Sequence, residues 1–226
     1  HTSGVRADSC VSSIKNKPAH CMTIRNYVYD DYIAKFGKII GGLAAGNGIK
    51  AMKRCNYVVC CSKTLQKMYM KILKNEPIAI QNGVDTKIYY PADNCENIKS
   101  LKSKLDIPEN KLIFLVSGSI IDRKDPMTII KAFNNSKARD RSLLIFIGSG
   151  LLSDKCKEHS GENIIFKGEV TNVVDYLKVS DFYISASKSE GLPNSVLEAG
   201  ACGLNMILSD IPQHREIFED NYGMVS

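Results

Sequence analysis

The sequence predicts an α/β protein made of two domains, each with a parallel sheet covered by helices. Three observations support this: short apolar runs alternate with helical segments, the helices have recognisable ends, and one segment without an apolar run interrupts the rhythm. With 226 residues, of which 44% are apolar, the chain is long enough to build a sizeable core. Disordered and collagen-like classes are therefore excluded.

Eight runs are predicted as strands, and most are continuous apolar stretches, as strands covered on both faces require. They lie at residues 21–24, 57–61, 78–80, 112–117, 143–148, 164–166, 182–186 and 206–209.

Helix ends are recognisable in two places. Asp125 followed by Pro126 predicts an N-cap and a first helical residue, and Gly203 predicts the end of the helix that contains Glu198. The buried face of the helix after Pro126 is predicted to consist of Ile129, Ile130 and Phe133.

Residues 86–110 contain proline turns and a lysine-rich helical piece but no apolar strand, which favours a domain boundary. We predict a partial N-terminal Rossmann-like domain at residues 1–85 and a C-terminal Rossmann-like domain at residues 86–226. The chain starts without methionine, and residues 223–226 resemble the opening of another strand, so truncation at both ends is expected. Ligands are expected in a cleft between the carboxyl ends of the strands of the two sheets.

Residues 32–75 carry the whole positive excess of the chain and no Asp or Glu. Their nine basic residues are Lys35, Lys38, Lys50, Lys53, Arg54, Lys63, Lys67, Lys71 and Lys74. Such a block faces nucleic acid, an anionic membrane or acceptor, or only water. Nucleic acid is disfavoured because no DNA- or RNA-binding motif accompanies the block. A solvated face and an acidic lipid surface both remain open.

Cysteines and histidines give no framework for a disulfide scaffold or a metal site. The eight cysteines lack regular spacing, and Cys60, Cys61 and Cys202 lie in apolar or small-residue runs, which favours buried, reduced thiols of a cytoplasmic protein. The four histidines are scattered, so no metal site is predicted. No run of 18 apolar residues and no signal peptide are present, so a protein integral to the membrane is not expected.

Residues 187–203 form the most informative segment: a strand end, a tight loop and the start of a helix. Amide hydrogens at a helix start favour an anion, which predicts a phosphate site without metal. The amides expected to be unpaired are those of Leu192, Asn194, Ser195 and Val196. Glu190 and Glu198 could accept hydrogen bonds from sugar hydroxyls. Alternatively, Ser195-x-x-Glu198 is a capping box, and spacing alone favours neither interpretation.

Residues 190–198 resemble the E-x7-E donor motif of glycosyltransferase family 4, which are retaining enzymes of the GT-B fold. Residues 81–85 resemble the N-G-V-D turn of this family, residues 146–150 its G-x-G turn, and residues 166–170 its F-x-G-x-V nucleotide-base loop. These motifs follow one another in the family's order and cover nearly all of residues 78–219. The resemblance is to the polysaccharide-assembling type, with GT-B architecture and an incomplete first domain.

The resemblance implies a role for each matching position. Glu190 would contact hydroxyls of the transferred sugar, Glu198 would hold the ribose, and Lys124 would bind the diphosphate. Catalysis would depend on Glu190 and Lys124. The further donor-binding residues are Ser119, Arg123, Gly168, Val170, Gly191, Leu192, Pro193, Asn194 and Ser195. Ser119 stands where the family commonly has arginine, so the charge would come from Lys124, with or without Arg123. For Arg123 a solvent-facing loop position is the favoured alternative.

The amino-terminal residues resemble the family more loosely. Residues 1–8 resemble an H-x-x-G-x-R-A-D segment, and Arg25 stands where many members have the histidine of T-x-H-N. The resemblance places His1, Gly4 and Arg25 on the acceptor side, although His1 could also be an inert chain end. Arg25 cannot act as a base because it stays protonated, but it could hold a phosphate or an anionic acceptor. Arg6 and Asp8 are predicted to form an internal salt bridge.

The resemblance implies a retaining, metal-independent hexosyltransferase without a cofactor. Its substrate would be a nucleotide sugar, UDP-linked rather than GDP-linked, and its acceptor a glycan or lipid-linked sugar in capsule or lipopolysaccharide synthesis. The chain contains no Asp-x-Asp triplet, which agrees with chemistry that needs no metal. The alternatives are a sugar-nucleotide epimerase of similar fold and a non-catalytic nucleotide-sugar-binding fragment.

The location implied is cytoplasmic, with peripheral contact at the inner face of a bacterial cell membrane. A helix in the basic block would make this contact, since its apolar residues follow helical spacing beside Lys35 and Lys38. These apolar residues are Ile33, Phe36, Ile40 and Leu43.

Overall fold

The computed structural model describes residues 1–92 and 94–218, and by packing they form two units. The first unit contains residues 1–82, 189–193 and 210–218, and the second contains residues 83–92, 94–188 and 194–209. Two late segments of the chain thus pack with the first unit. The domain division after residue 85 stays a prediction, and the strand expected at residues 223–226 lies outside the described residues.

Helices and strands alternate along the described chain, as the sequence predicts. In order they are α1 (Val5–Ser12), β1 (Cys21–Ile24), α2 (Val28–Lys53), β2 (Tyr57–Cys60), α3 (Lys63–Met70), β3 (Ile78–Ala79), α4 (Cys95–Lys104), β4 (Leu112–Ser117), α5 (Pro126–Asn134), β5 (Ser142–Ile147), α6 (Ser153–Glu158), β6 (Ile164–Gly168), α7 (Val173–Val179), β7 (Phe182–Ser185), α8 (Asn194–Ala201), β8 (Asn205–Leu208) and α9 (Pro212–Phe218).

The first unit has a three-stranded parallel sheet in the order β1-β2-β3. Met22, Ile24, Val58 and Cys60 from β1 and β2 are buried in its core. Strand β3 has only two residues, and Ile78 is about half exposed at 48%. The expectation that strands are covered on both faces therefore fails at this edge of the sheet.

The second unit has a five-stranded parallel sheet in the order β6-β5-β4-β7-β8. From β4 the chain adds β5 and β6 on one side and then returns to add β7 and β8 on the other. The strand order therefore reverses beside β4, which makes this edge a topological switch point. All six residues of β5 are buried. The predicted apolar face of α5 is confirmed, because Ile129, Ile130 and Phe133 pack with Phe146.

The predicted helix ends are found where expected, with one difference. Pro126 opens α5, and Gly203, with φ of 77°, follows α8 and donates its amide hydrogen to the Gly200 carbonyl oxygen at 2.9 Å. Asp125 takes the N-cap position, but its side chain makes no capping hydrogen bond. It lies instead 3.9 Å from the Lys188 ammonium group, so the cap predicted at Asp125 is wrong as a hydrogen bond.

Helix α2 carries the start of the basic block and is interrupted at Gly37, where φ is 76°. Beyond this break, the backbone of Gly41 lies close against Tyr32. A Cβ atom at Gly41 would stand 2.4 Å from the Tyr32 carbonyl oxygen, so only glycine permits this approach. The apolar residues that α2 leaves exposed are Ile33, Phe36, Ile39, Ile40 and Leu43.

The carboxylate of Glu216 in α9 connects several parts of the first unit. Its two oxygens accept hydrogen bonds from the amides of Lys63 at 2.6 Å and Thr64 at 2.7 Å, at the start of α3. The Gln81 side-chain amide donates a third at 2.8 Å. Burial alone would raise the pKa of Glu216, but these hydrogen bonds outweigh it and hold the pKa below the ordinary value of 4.5.

Replacing Glu216 should destabilise the first unit. We expect Glu216→Ala to lower the free energy of unfolding by about 3 kcal/mol, because it leaves the part-buried amides of Lys63 and Thr64 without their carboxylate acceptor. The exposed Glu76→Ala variant is the control and should change this free energy little.

The effect should depend on pH. Since the pKa of Glu216 is lower in the folded state, its contribution is complete above the unfolded value of about 4.5 and is lost as pH falls through the folded pKa. Urea unfolding at pH 7 and at pH 3 measures the difference. Equal effects of Glu216→Ala at both pH values would contradict this account.

Candidate functional site

In the second unit, strands β4 and β5 end side by side with backbone packed directly on backbone. Gly118 follows β4 with φ of 127°, and Gly148 follows β5 with φ of 119°. A Cβ atom on Gly148 would lie 2.1 Å from the Gly118 carbonyl oxygen. Both positions therefore require glycine, and they leave the carboxyl edge of the sheet free of side chains where a ligand could approach.

Ser119 and Lys124, two of the predicted donor-binding residues, lie together at this edge. Both line a small cavity of ≈ 20 Å³ between the carboxyl ends of β4 and β7, which Tyr183 and Ser185 also line. The Lys124 Cε atom lies 4.0 Å from the place of a Cβ on Gly118. The cavity is the size of one water molecule, so it marks a surface site rather than a deep pocket.

Arg123 lies in the 3₁₀ turn Asp122–Lys124 and is half-buried, so the favoured solvent-facing alternative is wrong. Its carbonyl oxygen accepts a hydrogen bond from the Lys188 amide at 2.8 Å. The Lys188 ammonium group lies 3.2 Å from Asp122 and 3.9 Å from Asp125. Lys188 therefore holds the turn in place, a role that the sequence did not suggest.

The predicted nucleotide-base loop is connected to the same edge. The Gly148 amide donates to the Gly168 carbonyl oxygen at 2.6 Å, and Gly168 has φ of 70°. Ser149 also donates a hydrogen bond to the Glu169 carboxylate. Val170 follows and is half-buried. Gly168 thus lies beside the end of β5, and the assignment of Gly168 and Val170 to a base pocket stays a prediction.

Helix α8 contributes Glu198 to the second unit. Tyr89 donates a hydrogen bond from its hydroxyl to the Glu198 carboxylate. Burial raises the pKa of Glu198, and this hydrogen bond opposes the shift. Helix α8 starts at Asn194, so Ser195 is already inside the helix and Glu198 contacts Tyr89. The capping-box alternative is therefore wrong. Asn194 is exposed and Ser195 is half-buried.

The loop at residues 189–193 packs within the first unit. Glu190 is buried, with 5% of its surface exposed. A Cβ atom on Gly191 would lie 1.7 Å from the Arg25 carbonyl oxygen, so the chain passes there only because position 191 is glycine. Leu192 and Pro193 are buried, and the Leu192 carbonyl oxygen accepts a hydrogen bond from the Asn82 side chain at 2.9 Å.

The Leu192 amide already has a partner, which corrects one prediction. Burial raises the pKa of the Cys61 thiol, and a hydrogen bond from the Leu192 amide to this sulfur opposes the shift. Leu192 was expected to offer a free amide to phosphate. Since its hydrogen points to Cys61, that expectation is wrong, and Leu192 serves to fix the loop.

The three predicted acceptor-side residues lie in one region of the first unit. Gly4 and Arg25 line a cavity of ≈ 150 Å³, together with Thr23. The His1 ring nitrogen Nε2 lies 2.7 Å from the Thr23 hydroxyl oxygen, so His1 is tied to the cavity wall and is not an inert chain end.

The predicted salt bridge between Arg6 and Asp8 is wrong. Arg6 is exposed while Asp8 is buried, and within the described residues Asp8 Oδ1 has no hydrogen-bond partner. Asp8 lines the 150 Å³ cavity instead.

Sequence reasoning missed four residues that the structure places at these sites. Neither Tyr89 nor Tyr32 lies at a motif spacing that would have indicated a site residue. Tertiary packing places Tyr89 beside Glu198 and Tyr32 at the 150 Å³ cavity. Asn82 belongs to the N-G-V-D turn, so the motif was visible but its hydrogen bond to Leu192 was not. Asp8 was visible in the amino-terminal segment but was assigned to an internal salt bridge with Arg6.

Comparison with known proteins identifies the family. Residues 97–226 match the family described as glycosyl transferases group 1. The chain belongs to this family. The finer assignment to family 4 stays a prediction.

Two relatives align with most of the length of this chain. An alpha-monoglucosyldiacylglycerol synthase of Streptococcus pneumoniae is 28% identical over 207 residues, which are 85% of this chain and 46% of the relative. A UDP-Gal:alpha-D-GlcNAc-diphosphoundecaprenol alpha-1,3-galactosyltransferase of Escherichia coli is 27% identical over 176 residues, or 72% of this chain and 45% of the relative. The chain thus spans about half the length of these relatives.

Solved glycosyltransferase structures share the fold. Anabaena HepE in complex with UDP and glucose has a TM-score of 0.74 at 15% identity, covering 87% of this chain and 54% of HepE. WaaG, a glycosyltransferase involved in lipopolysaccharide biosynthesis, has a TM-score of 0.72 at 16% identity, covering 88% of this chain and 59% of WaaG. The prediction of an α/β protein of the GT-B type is therefore confirmed.

The described part of the chain contains neither a candidate membrane-spanning helix nor a cluster of metal-binding side chains. None of its helices combines the length and apolarity needed to cross a bilayer. Within residues 1–92 and 94–218, no three His, Cys, Asp or Glu side chains come together as a possible metal site. All eight cysteines are free thiols, and Cys60, Cys61 and Cys202 are buried as predicted.

The close approach at Gly191 should make this position intolerant of any side chain. We expect Gly191→Ala to lower the free energy of unfolding by about 2 kcal/mol, because its Cβ atom would overlap the Arg25 carbonyl oxygen. Gly46→Ala is the control, since a Cβ on Gly46 in α2 would meet no atom within 4 Å. That variant should be neutral or more stable by up to about 1 kcal/mol. Thermal unfolding of both variants tests this, and equal melting temperatures would contradict it.

Proposed function

We propose that this protein is a retaining, metal-independent glycosyltransferase that uses a UDP-sugar donor. The acceptor is a glycan or lipid-linked sugar, and the product belongs to a surface polysaccharide or glycolipid. The names of the relatives support this class, since they include glycolipid, O-antigen and capsular polysaccharide enzymes.

The observation that carries the proposal is the position of Lys124. It lies at the carboxyl end of β4, beside Gly118 and Ser119, where the strand order of the sheet reverses. Ligands of open parallel sheets bind at such switch points. Backbone without side chains at Gly118 and Gly148 allows a diphosphate to approach, and the Lys124 ammonium group supplies the positive charge.

We assign the remaining donor contacts from the family motifs that these residues match. In the proposal, Gly168 and Val170 contact the base, Glu198 accepts hydrogen bonds from the ribose hydroxyls, and Glu190 binds hydroxyls of the transferred sugar. Asn194 and Ser195 at the start of α8 offer amides to the phosphates. The hydrogen bond from Tyr89 fixes the Glu198 carboxylate.

The proposed chemistry needs no nucleophilic side chain. The bond between the anomeric carbon and the diphosphate oxygen breaks, and the acceptor oxygen bonds to the same carbon on the same face. The acceptor hydroxyl gives its proton to the departing diphosphate oxygen, so charge and atoms balance. The positive charge of Lys124 stabilises the diphosphate as it leaves, a role that a divalent metal has in other transferases.

Turnover with UDP-sugars tests the reaction class. Transfer to an acceptor, or slow hydrolysis that releases UDP, would support the transferase, with an unchanged rate in EDTA and retained anomeric configuration by NMR. Interconversion of one UDP-sugar into another would instead indicate the epimerase. Binding without any turnover would indicate a non-catalytic protein.

Substitutions at Lys124 and Glu190 should separate chemistry from folding. We expect Lys124→Ala and Glu190→Gln each to reduce transfer at least about 100-fold, because the first removes the positive charge at the diphosphate and the second removes a carboxylate oxygen that accepts hydrogen bonds from the transferred sugar. Lys137→Ala and Glu162→Gln are exposed controls and should keep full activity. Melting temperatures verify folding, and full activity of Lys124→Ala or Glu190→Gln would refute the role of that residue.

We also propose that α2 contacts an anionic membrane surface. Ile39 and Leu43 are 81% and 70% exposed on the helix segment after Gly37, and Lys35 and Lys38 flank the break. An apolar patch beside lysines matches a surface of acidic lipid, because the side chains enter the interface and the ammonium groups meet the headgroups.

Vesicle binding tests this contact. We expect the protein to co-sediment with phosphatidylglycerol vesicles at low salt, less at high salt, and weakly with phosphatidylcholine vesicles. The double variant Ile39→Ser/Leu43→Ser should weaken binding at least about tenfold, since it removes two apolar side chains from the interface. Ile88→Ser, at a similarly exposed isoleucine of the second unit, is the control. Absence of binding at low salt would contradict the membrane contact and favour the alternative that α2 faces only water.

A further inference from the structure

The 150 Å³ cavity of the first unit has polar walls that no assigned role explains. Asp8 and Tyr32 both line it and are buried, with 6% and 8% of their surfaces exposed. Within the described residues, Asp8 Oδ1 and the Tyr32 hydroxyl oxygen have no hydrogen-bond partner. A buried polar atom without a partner is costly, and such atoms are rare in folded proteins. Two such atoms on one cavity indicate that a ligand supplies their missing hydrogen bonds.

The two side chains define what the ligand must offer. The carboxylate oxygens of Asp8 can accept hydrogen bonds. Tyr32 keeps its proton at neutral pH, because burial, with the nearby charges of Asp31 and Asp8, raises its pKa to about 12. Tyr32 can therefore donate. A hydroxyl is the small group that can donate to Asp8 while it accepts from Tyr32.

The charges around the cavity disfavour an anionic ligand. Two carboxylates, Asp8 and Asp31, line the wall together with one guanidinium group, that of Arg25. An added phosphate or carboxylate would meet a wall with one net negative charge and would be repelled. The two carboxylates that line the cavity with Arg25 therefore make this arginine a poor binding site for phosphate.

The size and floor of the cavity suit part of a sugar ring. Cavities of about 150 Å³ take one six-membered ring. Met22, Val28 and Met52 supply apolar wall, which matches the C–H face of a pyranose. Gly4, in the wall with φ of 108°, has no side chain to fill the space.

We propose that this cavity binds a neutral sugar ring through one of its hydroxyl groups, with Asp8 and Tyr32 as the residues that select it. This rests on the proposed function, because the sugar would be the acceptor, and it narrows the acceptor to an uncharged sugar at this subsite. Gly41 supports the site indirectly, since its close approach to the Tyr32 backbone fixes the start of α2.

Ligand binding by the purified protein tests the proposal. The probes are methyl glucoside, methyl galactoside and methyl N-acetylglucosaminide, with methyl glucuronide as the anion and methyl glucosaminide as the cation. Saturation-transfer NMR titrations measure their affinities. We expect at least one neutral glycoside to bind, and the anionic methyl glucuronide to bind more weakly than it.

Two variants and a matched control separate a site from a structural feature. Tyr32→Phe and Asp8→Asn should each weaken the neutral glycoside at least about fivefold, the usual effect of losing one hydrogen bond. Tyr57→Phe, at an exposed tyrosine of the same unit, should leave affinity unchanged. Tyr32→Phe should melt at the same or a higher temperature, because it removes an unpaired buried hydroxyl. A purely structural tyrosine would instead lower the melting temperature on this change.

Titration with UDP distinguishes failure of this site from failure of the proposed function. UDP binding with no glycoside binding, or with glycoside binding that neither Tyr32→Phe nor Asp8→Asn weakens, would overturn the sugar site and leave the transferase proposal standing. Stronger binding of either charged probe would overturn it as well. Glycoside binding that both variants weaken, without any UDP binding, would support the site and refute the donor assignment.

Discussion

Both candidate sites depend on places where a glycine lies directly against a backbone carbonyl oxygen. At Gly148 the neighbour is the carbonyl of Gly118, and at Gly191 it is the carbonyl of Arg25. No side chain fits at either position, so each substitution by a larger residue must displace backbone. Because no side chain separates the backbones, the loops lie directly against the neighbouring backbone at these two glycines. The short distance between the backbones in turn fixes where the nearby polar side chains lie.

Charge is distributed differently in the two units, and this matters for what each can bind. In the second unit the Lys188 ammonium group is balanced by Asp122 and Asp125, so it holds a turn in place. The phosphate-binding role proposed there is assigned to Lys124 by its position at the carboxyl end of β4, together with helix and loop amides. In the first unit the basic excess lies on α2 and α3, while the cavity wall is slightly negative. The first unit thus combines a basic excess on these helices with a cavity whose wall disfavours anions.

Local pattern was sufficient to predict most of the sheet and the glycine turns. Continuous apolar runs predicted β4 and β5, and the positions of Pro126 and Gly203 predicted helix ends, because these effects act within a few residues. The missed features join distant positions. Glu216 bonds to the start of α3, 153 residues away from Lys63, and Tyr89 reaches Glu198 only through tertiary packing. No spacing rule contains such pairs, so the sequence could not predict them.

Asp8 shows how burial changes the meaning of a charged residue. As a surface residue it would pair with Arg6 and contribute little to stability. Buried at the cavity with Oδ1 unpaired, it costs free energy that the rest of the first unit must offset, for example through the hydrogen bonds of Glu216. A simple stability requirement would favour an apolar residue at this position. A carboxylate beside an unpaired tyrosine hydroxyl is more readily explained by a ligand that supplies the missing hydrogen bonds.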